Sequence, residues 1–229
     1  MNFLEQYGCL PITSLPFALK SLISKAMARH YVSEKNETVR MFESNFMEFF
    51  SHSHPLVPLL LFLPIVGGML FLSFWQRHLS ILAVAGLFIA GLFIWTGVEY
   101  IFHRYLFHYR SQSRWAQRLH FIVHGSHHDY PNDVSRISTP PSMSIPIAAL
   151  FYVICALIFG RFAPPVFAGL MLGYVFYETI HYASHHFPMK RSVWRWMKQN
   201  HLQHHYRDDH SGYGVSSPLW DYVFGSKRG

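Results

Sequence analysis

The sequence predicts an all-α integral membrane protein: four transmembrane helices in two hairpins with a cytosolic, histidine-rich cap. Three observations predict it. Hydrophobic residues make up 51% of the 229 positions and charged residues only 14%, against roughly 25% charged in an ordinary soluble domain. Four apolar segments stand at about 56–75, 79–98, 144–160 and 163–182. Each is long enough, at about 1.5 Å per residue, to cross a hydrocarbon core of about 30 Å. Ten of the 17 histidines fall into four spaced groups at or beyond the ends of those segments.

The segments come in pairs. Only Gln76-Arg77-His78 separates the first two, and only Arg161-Phe162 the last two, so each pair reads as a tight helical hairpin. A hairpin returns the chain to the side it left, which puts residues 1–55, 99–143 and 183–229 on one side. Those stretches hold 5, 5 and 7 of the 19 Lys and Arg, with one each in the turns, Arg77 and Arg161. The positive-inside rule places them in the cytosol and explains the net charge of +7 without a nucleic-acid partner. Pro58, Pro64 and Gly67-Gly68 are poor choices in a soluble helix but are tolerated in a membrane one.

Residues 1–55 are expected to form a cytosolic N-terminal segment, and 56–229 the membrane domain. The basic stretch from Phe17 to Arg29 is amphipathic. It fits a helix on the membrane surface and equally a solvated helix against the cap. Residues 1–10 carry Glu5 and no cationic region before an apolar core, so no cleavable signal peptide is expected. Cys9 and Cys155 are far apart, make no metal motif, and read as small packing residues.

Neutral imidazole is the commonest metal-ligating side chain. His201, His204 and His205 stand at i, i+3 and i+4, and His124, His127 and His128 repeat that spacing. His181 and His185 are at i and i+4. On helices such residues share a face, so each group is expected to offer its rings to one point. His103 and His108 are five apart, about 140° around a regular helix. That suits two neighbouring metals or a distorted helix end. Ten ligands make five per ion for two ions, more than the four of structural zinc, and leave room for oxygen or water. Imidazole suits iron, zinc, copper and nickel alike. Redox iron fits an oxygen-activating role, and zinc is a possible occupant. His30, His52, His54, His78 and His210 are expected not to ligate. His120 and His186 are close to ligating positions and are weaker candidates. Ligating rings usually give their other N–H to a carboxylate or carbonyl. The carboxylate candidates are Glu99, Glu178, Asp129 and Asp133.

An all-histidine, two-metal site on a membrane protein points to dioxygen chemistry on a lipid. A metal transporter would instead need ligands along a path through the bilayer, and these apolar segments contain almost no charge.

The pattern His103-Arg-Tyr-Leu-Phe-His108, then His124-Gly-Ser-His127-His128-Asp-Tyr-Pro-Asn-Asp, resembles the fatty acid hydroxylase superfamily. Its membrane-bound hydroxylases and desaturases share such boxes. Several details resemble the fatty acid 2-hydroxylase (sphingolipid alpha-hydroxylase) branch. They are Pro131, Asp133, Arg136 and Thr139-Pro140-Pro141, then His181-Tyr-Ala-Ser-His185-His186-Phe-Pro188. Lys198-Gln-Asn-His201-Leu-Gln-His204-His205-Tyr206, Gly212-Tyr-Gly-Val-Ser and Trp220-Asp-Tyr-Val-Phe-Gly225 complete the set. The resemblance implies a dimetal monooxygenase, with dioxygen as co-substrate, acting beside the carbonyl of a long fatty acyl or ceramide chain. The ten grouped histidines would be its ligands. A sterol or carotenoid hydroxylase or a desaturase of the same superfamily is the alternative. Many relatives carry an N-terminal haem domain with a His-Pro-Gly-Gly signature, which residues 1–55 lack. The resemblance therefore implies a separate electron donor, of cytochrome or ferredoxin type with its reductase. Glu178 stands where some relatives carry Asp. The lipid headgroup is expected at the cytosolic interface with Arg104, Arg136, Lys198 and Arg207 nearby, although a solvated, lipid-facing surface charge is the readier role for each. The membrane is expected to be endoplasmic reticulum or bacterial inner membrane.

Overall fold

In the computed structural model, which describes residues 32–33, 35–109 and 111–227, every regular element is helical. The amphipathic stretch at 17–29, together with His30 and Cys9, lies outside the described residues. A short helix α1 (Asn45–Phe49) leads to α2 (Val57–Trp75) and α3 (Ile81–Ile101), which runs on as a π-helical turn (Phe102–Phe107). Helix α4 (Arg114–His120), a second π turn (Phe121–Gly125) and α5 (Ser126–Asp129) follow. Then come α6 (Pro141–Phe159), a 3-10 turn (Gly160–Phe162), α7 (Ala163–His186), α8 (Ser192–Tyr206) and α9 (Leu219–Val223).

Three helical stretches among the described residues are long and apolar enough to cross a membrane: Val57–Trp75, Ile81–Phe107 and Pro141–His186. The third doubles back. Gly160 adopts φ 53° at the end of α6, a conformation that suits glycine. The Tyr152 and Phe167 rings then meet with centroids 5.2 Å apart; an unbroken helix would hold them about 22 Å apart. The two turns lie at the same end of the molecule, since the Arg161 guanidinium donates to the Arg77 carbonyl at 3.0 Å.

Two boundaries differ from the sequence reading. The second apolar helix does not stop near residue 98 but continues through the π turn to Phe107, carrying His103 with it. The fourth extends to His186 rather than 182, so His185 is helical. In both cases some polar residues past the apolar run are buried, Glu99 and His103 in one and Ser184 in the other, and the helical hydrogen bonds continue.

Helix α7 is the axis of the fold. It is buried along most of its length. Phe62 of α2 and Trp95 of α3 both pack edge-on against Tyr174 of α7, at 5.2 and 5.4 Å. The other helices turn apolar side chains such as Leu60, Leu82 and Leu157 outward, which suits a lipid surround. Helices α3 and α7 cross at two glycines. A Cβ on Gly91 would stand 2.0 Å from the Val166 carbonyl oxygen, and one on Gly169 2.0 Å from that of Phe88. Small residues allow such close approach of membrane helices.

The segment before α2 is stitched to the loop after α5. Ser33 N–H donates to the Asp129 carbonyl at 2.7 Å, and Ser53 N–H to that of Ser135 at 2.8 Å. Arg136 is central to this seam. Its buried guanidinium donates to Ser51 Oγ at 2.8 Å and to Glu48, so it is not the solvated surface charge that the sequence suggested. Glu48 also accepts the Met41 and Phe42 N–H groups, each at 3.0 Å.

Overpacking a tight contact costs about 1–3 kcal/mol. Gly169→Ala should lower the melting temperature of the detergent-purified protein, whereas Gly67→Ala, with open space around it, should not. Burial alone would raise the Glu48 carboxyl. The Phe42 and Met41 N–H groups and Arg136 outweigh it and hold the carboxyl below its ordinary 4.5. A carboxyl lowered on folding stabilises above its unfolded value, and that contribution fades as pH falls through the folded one. Thermal stability of the wild type should exceed that of Glu48→Gln at pH 7, with the two converging under acid conditions. Equal stability at pH 7 would show that the seam contributes nothing.

Candidate metal centre

All ten grouped histidines meet at the cap end of the bundle, and they sort into two sets of five. One is His103, His108, His124, His128 and His204; the other is His127, His181, His185, His201 and His205. Within each set the candidate ligand atoms lie within 4.8 Å of one another. Eight of the ten residues are buried, His108 and His185 being partly exposed. The sets adjoin: His128 and His205 stack with centroids 4.1 Å apart.

The sorting departs from the sequence reading in one respect. The two H-x-x-H-H groups do not each serve one point. His124 and His128 belong to the first set and His127 to the second, while His201 and His205 belong to the second and His204 to the first. The reason is angular. At about 100° per residue, i+3 and i+4 fall on opposite sides of i and diverge by about 100° from each other. Adjacent histidines therefore look toward different points, and each such helix bridges the two sets. The five-residue spacing of His103 and His108 is resolved by the π turn. His108 N–H donates to the His103 carbonyl, an i to i+5 bond of 3.2 Å, and the two rings come within 5.0 Å. Such turns favour functional sites.

The donors fit metal ions. Nε2 atoms face each other at 2.9 Å for His108 and His204, 3.0 Å for His124 and His128, and 2.8 Å for both His127–His181 and His185–His201. The Nε2 atoms of His103 and His205 are buried without a hydrogen-bond partner, a state that costs free energy unless something binds there. Burial first, and neighbouring histidines second, hold His124, His127, His201 and His205 well below the ordinary 6.5. Neutral rings are what a metal requires.

Backbone carbonyls orient two rings. His103 Nδ1 donates to the Tyr213 carbonyl at 2.5 Å, and His204 Nδ1 to that of Ser211 at 2.9 Å. His108 Nδ1 stands 3.9 Å from an Asp209 carboxylate oxygen. The carboxylates of Glu99, Glu178 and Asp133 pair with backbone N–H and hydroxyl groups. Glu99 accepts Val215 and Ser216 N–H at 2.7 and 2.8 Å. Glu178 accepts the Thr139 hydroxyl at 2.7 Å. Asp133 takes the Ser135 N–H at 2.9 Å and its hydroxyl at 2.7 Å, and Asp129 gives its carbonyl to Ser33. Glu99 thus acts one step removed, by fixing the loop whose carbonyls hold His103 and His204. Asp221, which sequence reasoning missed, does the same: it accepts Tyr213 and Gly214 N–H at 3.0 and 2.7 Å. Its signal was the Gly212-Tyr-Gly-Val-Ser run. Gly212 has φ 70°, and a Cβ on Gly214 would stand 2.0 Å from the Ser217 carbonyl oxygen.

A cavity of about 900 Å³ opens from this centre between the helices, within the usual range of about 300–1,000 Å³ for ligand sites. His124, His127 and His181 line one part of it, and Phe62, Phe102, Ile147, Phe151 and Met171 give it apolar walls. Met41, Phe42, Phe46, Met47 and Phe50, from the segment before α2, also line it. Nothing in their sequence pattern distinguished them.

The match to a family model decides the assignment: the model described as fatty acid hydroxylase covers residues 88–226. This chain belongs to the fatty acid hydroxylase family. It is 35% identical over 198 residues to a dihydroceramide fatty acyl 2-hydroxylase of Arabidopsis thaliana, covering 86% of this chain and 83% of that protein. It is 40% identical to the fatty acid 2-hydroxylase of Rattus norvegicus, covering 81% of this chain and 56% of the longer rat protein. The solved structure of full-length scs7p, in which only the hydroxylase domain is visible, superposes with a TM-score of 0.76 at 34% identity. That match covers 81% of this chain and 70% of the other. Family membership makes this chain an oxidoreductase associated with membranes.

The remaining described histidines of the hydroxylase stand outside both sets. His52 bonds Ser135 and Glu48, and His54 accepts the Leu56 N–H. His78 lies in the first turn, and His210 faces Asp209. His120 packs beside Gly125 and His186 against Tyr182. Of the expected headgroup cations, Arg104 donates to the Tyr100 hydroxyl and Lys198 to the Phe187 carbonyl, while Arg207 is exposed at the end of α8. Elemental analysis should find metal content unchanged in His120→Ala and His186→Ala and reduced in His128→Ala. Metal loss in either of the first two would require a different ligand set.

Proposed function

We propose that this chain is a membrane-bound dimetal monooxygenase that hydroxylates a long acyl chain at the 2-position, on a fatty acyl or ceramide substrate. The observation that carries the reading is an apolar cavity of about 900 Å³ whose lining includes His124, His127 and His181. An acyl chain fits such a cavity by chemistry and shape, and its reacting methylene would sit where both sets of histidines are represented. The names of the relatives support the 2-position and the acyl or ceramide substrate. A sterol or carotenoid target has no comparable support. A transporter is disfavoured because the histidines gather at one end of the helices.

The two five-histidine sets would each hold one metal ion. Iron in both would supply the redox chemistry that splits dioxygen: one oxygen atom enters the C–H bond, and the other leaves as water with two protons and two electrons. The chain's own residues do the rest. Phe62, Phe151 and Met171 exclude water from the reacting carbon and align it. Glu99 and Asp221 fix the loop that orients His103 and His204. Zinc in the same sites would keep the rings in place but has no redox chemistry. The electrons would come from a separate donor, of cytochrome or ferredoxin type.

In this reading residues 56–229 are the membrane domain. Helices α2, α3, α6 and α7 make four crossings, and the cap with its histidines faces the cytosol of an endoplasmic reticulum or bacterial inner membrane. Two features support it: the turns at Arg77 and Arg161 meet at one end, and the positive-inside rule assigns the Lys- and Arg-rich stretches of the sequence to the cytosol.

Mass spectrometry of lipids from cells expressing the chain with a competent donor should show acyl groups carrying one added oxygen at carbon 2. His204→Ala should abolish the product. Ala148→Phe, which narrows the cavity, should shift product toward shorter chains. Oxygen at another position, or on a sterol, would replace this reading.

A further inference from the structure

The two sets of histidines are supported differently. In the first, His103 and His204 donate from Nδ1 to carbonyl oxygens, and His108 Nδ1 faces Asp209. In the second, the Nδ1 atoms of His127, His185, His201 and His205 are all buried with no hydrogen-bond partner. Four of its five rings therefore have no hydrogen-bonding oxygen among the described residues to raise their basicity, and are held by ring packing alone.

The supported side is itself braced. The loop carrying the Ser211 and Tyr213 carbonyls is tied down by two carboxylates, each only 2–3% exposed. Asp221 takes the N–H groups of Tyr213 and Gly214 and also the Ser226 hydroxyl, at 2.8 Å. Glu99 takes those of Val215 and Ser216. The Ser226 hydroxyl is shared with Tyr100 at 2.8 Å, which anchors the loop to α3. The carbonyls therefore cannot drift from the rings without breaking buried hydrogen bonds to Asp221 and Glu99.

A ligating imidazole gains basicity and a fixed orientation from an oxygen on its other nitrogen, and loss of such a partner costs about 10- to 100-fold in metal affinity. We propose that the two metal sites are inequivalent. The site of His103, His108, His124, His128 and His204 holds its ion tightly through the Asp221- and Glu99-braced loop. The site of His127, His181, His185, His201 and His205 exchanges its ion first. The proposal rests on the two-metal reading. Asp221 and Glu99 are positioning residues: they touch neither metal nor substrate and act through Tyr213 and Ser211. Two of the three cavity-lining histidines, His127 and His181, belong to the exchangeable site and His124 to the tighter one, so both ions would stand at the cavity wall.

The test is metal release from the whole purified protein loaded with zinc, followed with a chromogenic chelator in excess. The expected result is two ions per chain leaving in two phases, one ion each, with rates at least about 10-fold apart. Asp221→Asn should accelerate the slow phase by about 10- to 100-fold and leave the fast phase unchanged. Should Asp221→Asn fail to fold, Asp209→Asn, altering a carboxylate nearer the surface, should accelerate the slow phase more modestly. A single phase releasing both ions, or faster release confined to the fast phase in either variant, would overturn the inequivalence while leaving the two-metal reading intact. Fewer than two ions bound by the wild type would overturn both.

Discussion

Ten imidazole rings have to reach two neighbouring points while staying uncharged. That requirement organises this molecule. A protonated ring repels a metal and its neighbours, so the rings must be buried. Burial in turn strips away water that would otherwise satisfy their nitrogens. The fold meets the demand by drawing ligands from several helical segments: the π turn after α3 and its end, the turn before α5, α5 itself, the end of α7, and α8. Because adjacent histidines diverge by about 100° on a helix, the H-x-x-H-H segments serve both points and lock the two sets together.

The apolar helices matter to the chemistry through what they hold in place. Close contact at Gly91 and Gly169 clamps α3 to α7, and these two helices carry four of the ten rings at their cap ends. The cavity then forms beside α7, between walls that a soluble protein would have to cover. The seam from Glu48 to Arg136 closes its cap side and brings Met41–Phe50 into its lining. A water-excluding chamber and a metal-binding cap thus come from the same packing.

Much of this was legible in the sequence. Apolar length and the short turns at Arg77 and Arg161 gave the hairpins, and spacing picked out the ten rings from the 17 histidines. What spacing could not supply was direction. His103 and His108 required a π turn, which no periodicity announces. Carboxylates near the ligands in sequence, Glu99 and Glu178, suggested direct contacts. Instead, backbone carbonyls from a loop some 110 residues away in the chain reach His103, and carboxylates brace that loop. Such pairing depends on tertiary packing. The cavity-lining segment before α2 was hidden for the same reason: no periodicity sets its aromatic residues apart, and the Glu48–Arg136 pairing that positions them is a tertiary contact.

The central claim is that these ten rings form two adjoining five-histidine metal sites at the wall of an acyl-chain cavity. Anomalous diffraction at the metal absorption edge, from crystals of the metal-loaded protein, tests it most directly. The account predicts two peaks per chain, one ringed by His103, His108, His124, His128 and His204, the other by His127, His181, His185, His201 and His205. A single peak, or a peak ligated by residues outside these ten, would contradict it.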